Sequence, residues 1–218
     1  MKLFLDSANI DEVKRALQWR IIDGLTTNPS LIAREGVPLE VQLRKLCELV
    51  DGDVSAPVTA DSTSDMLAEA RSLSRLHPNI VVKVPVTPQG IAAVSELSAE
   101  GIRTNVTLCF TAAQALLAAK VGATYVSPFL GRVEDAGGSG SDLVRDINTI
   151  YRNFGFPTKI LAASIRGPQQ LVEAAKAGAH VATLTYKMIE SLFQHPLTDK
   201  GLEQFIADYN RAFAIAKA

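Results

Sequence analysis

Short apolar runs rich in Val, Ile and Leu alternate along this chain with longer stretches whose apolar residues recur at helical spacing. The short runs predict strands at Lys2–Asp6, Gly24–Thr27, Val54–Ala60, Ile80–Pro85, Arg103–Leu108, Tyr125–Phe129, Lys159–Ala163 and His180–Leu184. The helical rhythm predicts helices at Ile10–Trp19, Leu39–Val50, Asp65–Leu76, Gly90–Glu100, Ala112–Val121, Asp142–Phe154, Pro168–Ala177 and Tyr186–Phe193. Ser64 and Thr111 suit N-caps, and Pro168 suits a first helical turn. Gly101, Gly122 and Gly178 each follow the last apolar position of a helix, where a left-handed cap is wanted.

Eight strand–helix units without a linker predict an α/β chain, a single (β/α)8 TIM barrel over residues 1–218. An open doubly wound sheet is the alternative, but no Gly-x-Gly-x-x-Gly follows an early strand. A last helix, Thr198–Lys217, gathers Leu202, Phe205, Ile206, Tyr209 and Phe213 on one face. Such a face packs on its own barrel or on a neighbouring subunit.

Composition narrows the classes. With 218 residues, 47% of them hydrophobic, the chain can bury one sizeable core. A formal net charge of -1 gives no electrostatic reason to expect nucleic acid or an anionic membrane as partner. Cys47 and Cys109 stand far apart and match no metal or redox spacing, so a reduced intracellular protein is expected. The chain enters a strand pattern at once, with no signal peptide ahead of it, and no apolar stretch approaches the ~20 residues that span a bilayer. The expectation is a cytoplasmic protein. His77, His180 and His195 are dispersed, and no metal or other cofactor is expected.

Chemistry enters through Lys83, which sits inside the apolar run Ile80–Val86. A buried ammonium is costly, and the usual escape is a depressed pKa. A neutral amine is a nucleophile suited to a Schiff base with a carbonyl substrate, unless the side chain simply snorkels to water. In a barrel the chemistry lies at the carboxyl ends of the strands. There the sequence places Asp6, Thr26, Thr27 and Asn28, Lys83, Asn105 and Thr107, Ser127 and Phe129 with Arg132, and Ser164 with Arg166. Each alone has a structural explanation: Asp6 or Ser7 as a helix cap, Asn28 as a turn residue, Thr107 as a strand hydroxyl, Arg132 as a loop charge. Together they suit class I aldol chemistry. The lysine forms the imine, a carboxylate takes the substrate hydroxyl proton, and amide and hydroxyl groups orient a sugar. Arg132, Ser164 and Arg166 suit a phosphate clamp.

These residues stand in blocks that run through the whole chain: Phe4–Asn9, Gly24–Ile32 with its Thr-Thr-Asn-Pro-Ser, Val81–Thr87, Thr104–Phe110, Tyr125–Arg132 and Leu161–Arg166. In these blocks the chain resembles the transaldolase family, in the short-chain branch that also contains the fructose-6-phosphate aldolases. The resemblance implies Lys83 as the Schiff-base lysine, Asp6 as acid/base, Asn28 at the sugar, and Thr107 at a catalytic water. Arg132, Ser164 and Arg166 would bind phosphate. It implies transfer of a dihydroxyacetone unit from fructose 6-phosphate to erythrose 4-phosphate in the pentose phosphate pathway. It also implies assembly as pentamers or decamers, with the last helix reaching over a neighbour.

Two positions discriminate. Where transaldolases carry a glutamate, and the aldolases a glutamine, this chain has Pro57, which supplies neither acid nor hydrogen bond. Phe129 stands where the aldolases carry a tyrosine, as in transaldolases. The alternatives are therefore a reversible aldolase joining dihydroxyacetone to glyceraldehyde 3-phosphate, or an impaired barrel that only binds sugar phosphates.

Overall fold

A computed structural model describes residues 1–215. Eight parallel strands close in sequence order into a barrel. They are β1 (Lys2–Asp6), β2 (Gly24–Thr26), β3 (Asp53–Pro57), β4 (Ile80–Pro85), β5 (Thr104–Cys109), β6 (Tyr125–Pro128), β7 (Lys159–Ala162) and β8 (Val181–Leu184). Helices cover the outside: α1 (Ile10–Leu17), α2 (Pro29–Arg34), α3 (Leu39–Leu49), α4 (Thr63–Ser74), α5 (Pro88–Ala99), α6 (Ala112–Lys120), α7 (Leu130–Asp135), α8 (Gly140–Phe154), α9 (Pro168–Ala177), α10 (Tyr186–Ser191) and α11 (Pro196–Ile215). The predicted (β/α)8 barrel with an added C-terminal helix is the observed architecture.

Strands buried on both faces explain the continuous apolar runs. Val82 and Val84 point into the layer between sheet and helices, while Val81 belongs to the cluster inside the barrel. That inner cluster holds Phe4, Val81, Tyr125, Leu161 and Val181 and closes the amino-terminal floor. The rings of Phe4 and Tyr125 meet edge to face at 6.2 Å. Gly24 makes room for the Phe4 ring, since a Cβ there would lie 2.7 Å from that ring and 2.6 Å from the Asp53 carbonyl.

Some local expectations move. Ser62, not Ser64, caps α4, its hydroxyl accepting from Asp65 N–H at 3.1 Å. Asn9, rather than Asp6 or Ser7, caps α1 by accepting from the amides of Asp11 and Glu12. That leaves Asp6 free of the helix. Thr111 caps α6 as expected, within a full capping box with Gln114. Gly101, Gly122 and Gly178 all take positive φ. β3 stops at Pro57 rather than Ala60 because the Glu69 carboxylate captures the amides of Thr59 and Ala60 and draws the chain off the sheet.

Two short helices escape the sequence pattern, α2 and α7, each inserted straight after its strand. At six residues each they are too short for an amphipathic period to register. The final helix begins at Pro196 and carries Leu202, Phe205, Ile206 and Tyr209 exposed to solvent. Residues 216 and 217 of the expected helix lie outside the described residues. Among the described residues, no helix is long and apolar enough to cross a membrane.

Candidate active site

The carboxyl ends of the strands surround a cavity of about 710 Å³. Its wall includes Asp6, Thr26, Asn28, Lys83, Thr107, Ser127, Phe129, Arg132 and Ser164, nine of the residues singled out from the sequence. The pleat explains the convergence. Alternate residues of a strand share a face, so one inward residue per strand arrives at the same mouth.

Lys83 is the central cation. Its Nζ donates to the carbonyl oxygen of Thr27 at 2.9 Å, and no carboxylate pairs with it directly among the described residues. Burial pushes its pKa below the ordinary lysine range, while the Asp6 charge pulls partly in the other direction. A larger fraction of this lysine is therefore a neutral amine than of a surface lysine at the same pH.

Asp6 is held by a buried chain of hydroxyls. Thr26 Oγ1 donates to Asp6 Oδ1 at 2.7 Å, and Thr26 Oγ1 lies 2.6 Å from Thr183 Oγ1. A hydroxyl has one proton to give, so Thr183 is the donor to Thr26. The chain fixes Oδ1 and leaves Oδ2 for the cavity. Among the described residues, Asp6 is the only carboxylate lining that cavity. The sequence pattern passes over Thr183, although it is a polar residue in an apolar strand like the others.

Beneath this layer a second polar layer is fully paired. Asn105 donates from Nδ2 to Ser55 Oγ at 3.1 Å and accepts from Ser127 Oγ at 2.8 Å, with no exposure at all. Asn105 therefore lies below the cavity rather than in its lining, although it is the β5 partner of Lys83 in register. It supports Ser127, which does line the cavity.

Thr107 contrasts with it. Its Oγ1 is buried and has no hydrogen-bond partner among the described residues. An orphan hydroxyl beside a cavity is a place for a water or a ligand atom. The next residue, Leu108, has φ +58° within a register shift between Val106 and Cys109. The strand bulges here, and the bulge re-aims the chain at the mouth.

The far side of the mouth is built by β6, α7 and the end of β7. The Arg132 guanidinium lies 5.2 Å from the centre of the Phe129 ring and makes no ion pair among the described residues. Phe129 in turn meets Phe110 edge to face at 5.7 Å. Ser164 holds φ +59°, and its carbonyl accepts from Gly131 N–H at 3.0 Å, which ties β7 to α7. A Cβ on residue 131 would lie 2.3 Å from that carbonyl.

Arg166 is placed differently from its expected phosphate role. Its guanidinium makes two bonds of 2.5 Å to the Asp135 carboxylate on the exposed surface, and it is absent from the cavity lining. Arg34 is a cavity-lining cation that the sequence reading does not name, because it sits on the unrecognised helix α2. Asn28 caps α2 by accepting from Leu31 N–H at 2.9 Å, so its amide nitrogen is the end left for a ligand. The described residues contain no group of three or more His, Cys, Asp or Glu suited to hold a metal ion.

A closed parallel barrel, with a carboxylate and a desolvated lysine in one cavity at the carboxyl ends of its strands, has the layout of the TIM-barrel enzymes. A family model described as "Transaldolase/Fructose-6-phosphate aldolase" matches residues 3–216, and the chain belongs to that family. A "Probable transaldolase" of Kosmotoga olearia is 54% identical over 209 residues, covering 96% of each chain. One of Sorangium cellulosum is 55% identical over 208 residues, covering 95% of this chain and 96% of the relative. Another, of Clostridium tetani, is 52% identical over 209 residues, covering 96% and 98%.

Proposed function

We propose that this protein is a transaldolase working through an imine on Lys83. The observation that carries the reading is the shared cavity of Lys83 and Asp6, one a desolvated amine and the other the sole carboxylate among the described lining residues. The free amine attacks C2 of a ketose phosphate such as fructose 6-phosphate, and loss of water leaves an iminium ion. Asp6 takes the proton of the C4 hydroxyl as the C3–C4 bond breaks. The bond's electron pair passes to the iminium nitrogen, which leaves an enamine on Lys83 and frees an aldose phosphate. The enamine then adds to the carbonyl of an acceptor such as erythrose 4-phosphate. Asp6 returns its proton to the new alkoxide, and water releases the product ketose.

Arg132, with Ser164, suits the phosphate, because it is a cation at the mouth with no ion partner to give up among the described residues. Asn28 and Ser127 suit the sugar hydroxyls, and the unpartnered Thr107 hydroxyl suits the water exchanged at the imine. Phe129 supports transfer over free aldol cleavage. The exposed apolar face of α11 supports assembly with other copies of the chain.

The test is reductive trapping. Protein incubated with fructose 6-phosphate and borohydride is expected to gain the mass of a reduced sugar-derived adduct, and Lys83→Met is expected to gain none. An unmodified wild type, or an adduct that persists in Lys83→Met, rules the reading out. Product formation that does not depend on erythrose 4-phosphate would make the protein an aldolase instead.

A further inference from the structure

Pro57 stands in a strand with neighbours on both sides, where proline is disfavoured because it cannot donate to the ladder. The bonding pattern shows what its missing N–H leaves open. Val54 N–H donates to Asn79 O at 2.9 Å and Val58 N–H to Lys83 O at 3.0 Å, so the even residues of β3 bond to β4. The odd residues face β2, where Thr27 N–H donates to Ser55 O at 3.1 Å. In a parallel ladder the next rung joins the N–H of residue 57 to the Thr27 carbonyl, and the N–H of residue 29 to the carbonyl of residue 57. Both positions are proline.

The Thr27 carbonyl is thus released from the sheet while Thr27 itself stays fixed. The residue is fully buried, and its Oγ1 also donates to Ser55 O at 2.7 Å. What takes the carbonyl is Lys83 Nζ, at 2.9 Å. Pro57 and Lys83 are direct partners in the β3–β4 register, so the proline lies beside the lysine whose acceptor it leaves vacant.

We propose that Pro57 is a positioning residue for Lys83: by withholding the rung donor it leaves the Thr27 carbonyl as a fixed acceptor that holds Nζ at the cavity wall. The inference deepens the reading of Lys83 as nucleophile and rests on it for its catalytic meaning. In the amine, one N–H is engaged by Thr27, which limits the directions open to the lone pair. In the ammonium, the same bond is charge-assisted and favours the protonated form. The other charged groups of the cavity are Asp6 on β1, which also favours the ammonium, and Arg34 on α2 and Arg132 on α7, which oppose it. None of them changes when residue 57 is replaced.

Pro57→Ala restores an N–H without adding an acid or a base. Titrating the 13Cε signal of Lys83, assigned by its loss in Lys83→Met, measures the outcome in sugar-free protein. The expected result is a midpoint about one pH unit lower in Pro57→Ala than in wild type, with the new backbone amide at position 57 protected from hydrogen exchange. An unchanged or higher midpoint, or an amide at that position that exchanges as fast as an open loop, overturns the proposal. The wild type gives a second test that does not depend on the variant folding. The Thr27 carbonyl 13C shift is expected to titrate with the Lys83 midpoint and to stay flat in Lys83→Met; a flat wild-type shift overturns the proposal. Because no sugar is present, these results stand apart from the trapping test.

Discussion

The two ends of the barrel use the same strands in opposite ways. At the amino-terminal floor, the polar groups around Asp53 are paired with one another: Asp53 accepts from Tyr125 Oη at 2.7 Å and from Arg103 at 2.5 Å, and Arg103 also donates to Pro78 O at 2.6 Å. Burial, with Asp53 beside it, pushes the Tyr125 phenol well above its usual range, so it stays a neutral donor. At the carboxyl-terminal mouth the pairing is unfinished. Among the described residues, Lys83 has one carbonyl, Thr107 has nothing, and Arg132 has only an aromatic face. The mouth also holds the positive φ angles of Leu108 and Ser164. Polar groups left unpaired cost stability, and strain adds to that cost. The network around Asp53 builds the floor, whereas the unpaired groups that line the cavity are available to a substrate.

The largest effect is expected at Asp6. Asp6→Asn keeps the shape but removes the cavity carboxylate, and kcat is expected to fall by about 10²–10⁴-fold. The same change removes the charge that favours the ammonium of Lys83. The lysine pKa should fall further, so the pH midpoint of imine trapping should move to lower pH. A midpoint that rises, or a kcat within a factor of two of wild type, would break the contrast.

A smaller effect separates Arg132 from Arg166. Arg132→Ala is expected to raise KM for fructose 6-phosphate by about 10- to 100-fold. Arg166→Ala, whose guanidinium is already committed to Asp135, should leave KM within about twofold. Steady-state kinetics on both variants decides the point, and equal losses would give Arg166 the same role as Arg132.

The smallest effect on catalysis belongs to the floor. Tyr125→Phe takes one donor from Asp53 and should cost about 1–2 kcal/mol of stability in urea unfolding. Imine trapping and kcat should be unchanged. A large loss of activity without a loss of stability would show that the floor is not merely structural.

The strand positions of Lys83, Asp6 and Thr107 are legible because a polar residue in an apolar strand stands out one residue at a time. Thr183 carries the same signal and is easily passed over, since Val181-Ala182-Thr183-Leu184 reads as an ordinary strand. Asn105 reads as a sugar contact because its face is right. Its depth is not legible, as a period of two gives direction but not height along the barrel axis. Arg166 and Arg34 exchange places for another reason. Arg166 follows a motif but meets Asp135 across α7, whereas Arg34 belongs to a helix of six residues with no readable period.

Pro57 shows the same division most sharply. As a letter in the sequence it is the loss of an acid and a strand-breaking residue, both of which count against function. In the barrel, residue 57 turns its missing N–H toward β2, opposite another proline, and the orphaned carbonyl there meets Lys83. The order of apolar and polar positions by itself determined the eight units, the direction of each inward side chain and the chemical types at the mouth, because those follow from local periodicity. Only the tertiary structure decided which groups are left without partners. Hydrogen-bond satisfaction is a property of the pairs that meet in space, and the strands that supply them are far apart along the chain.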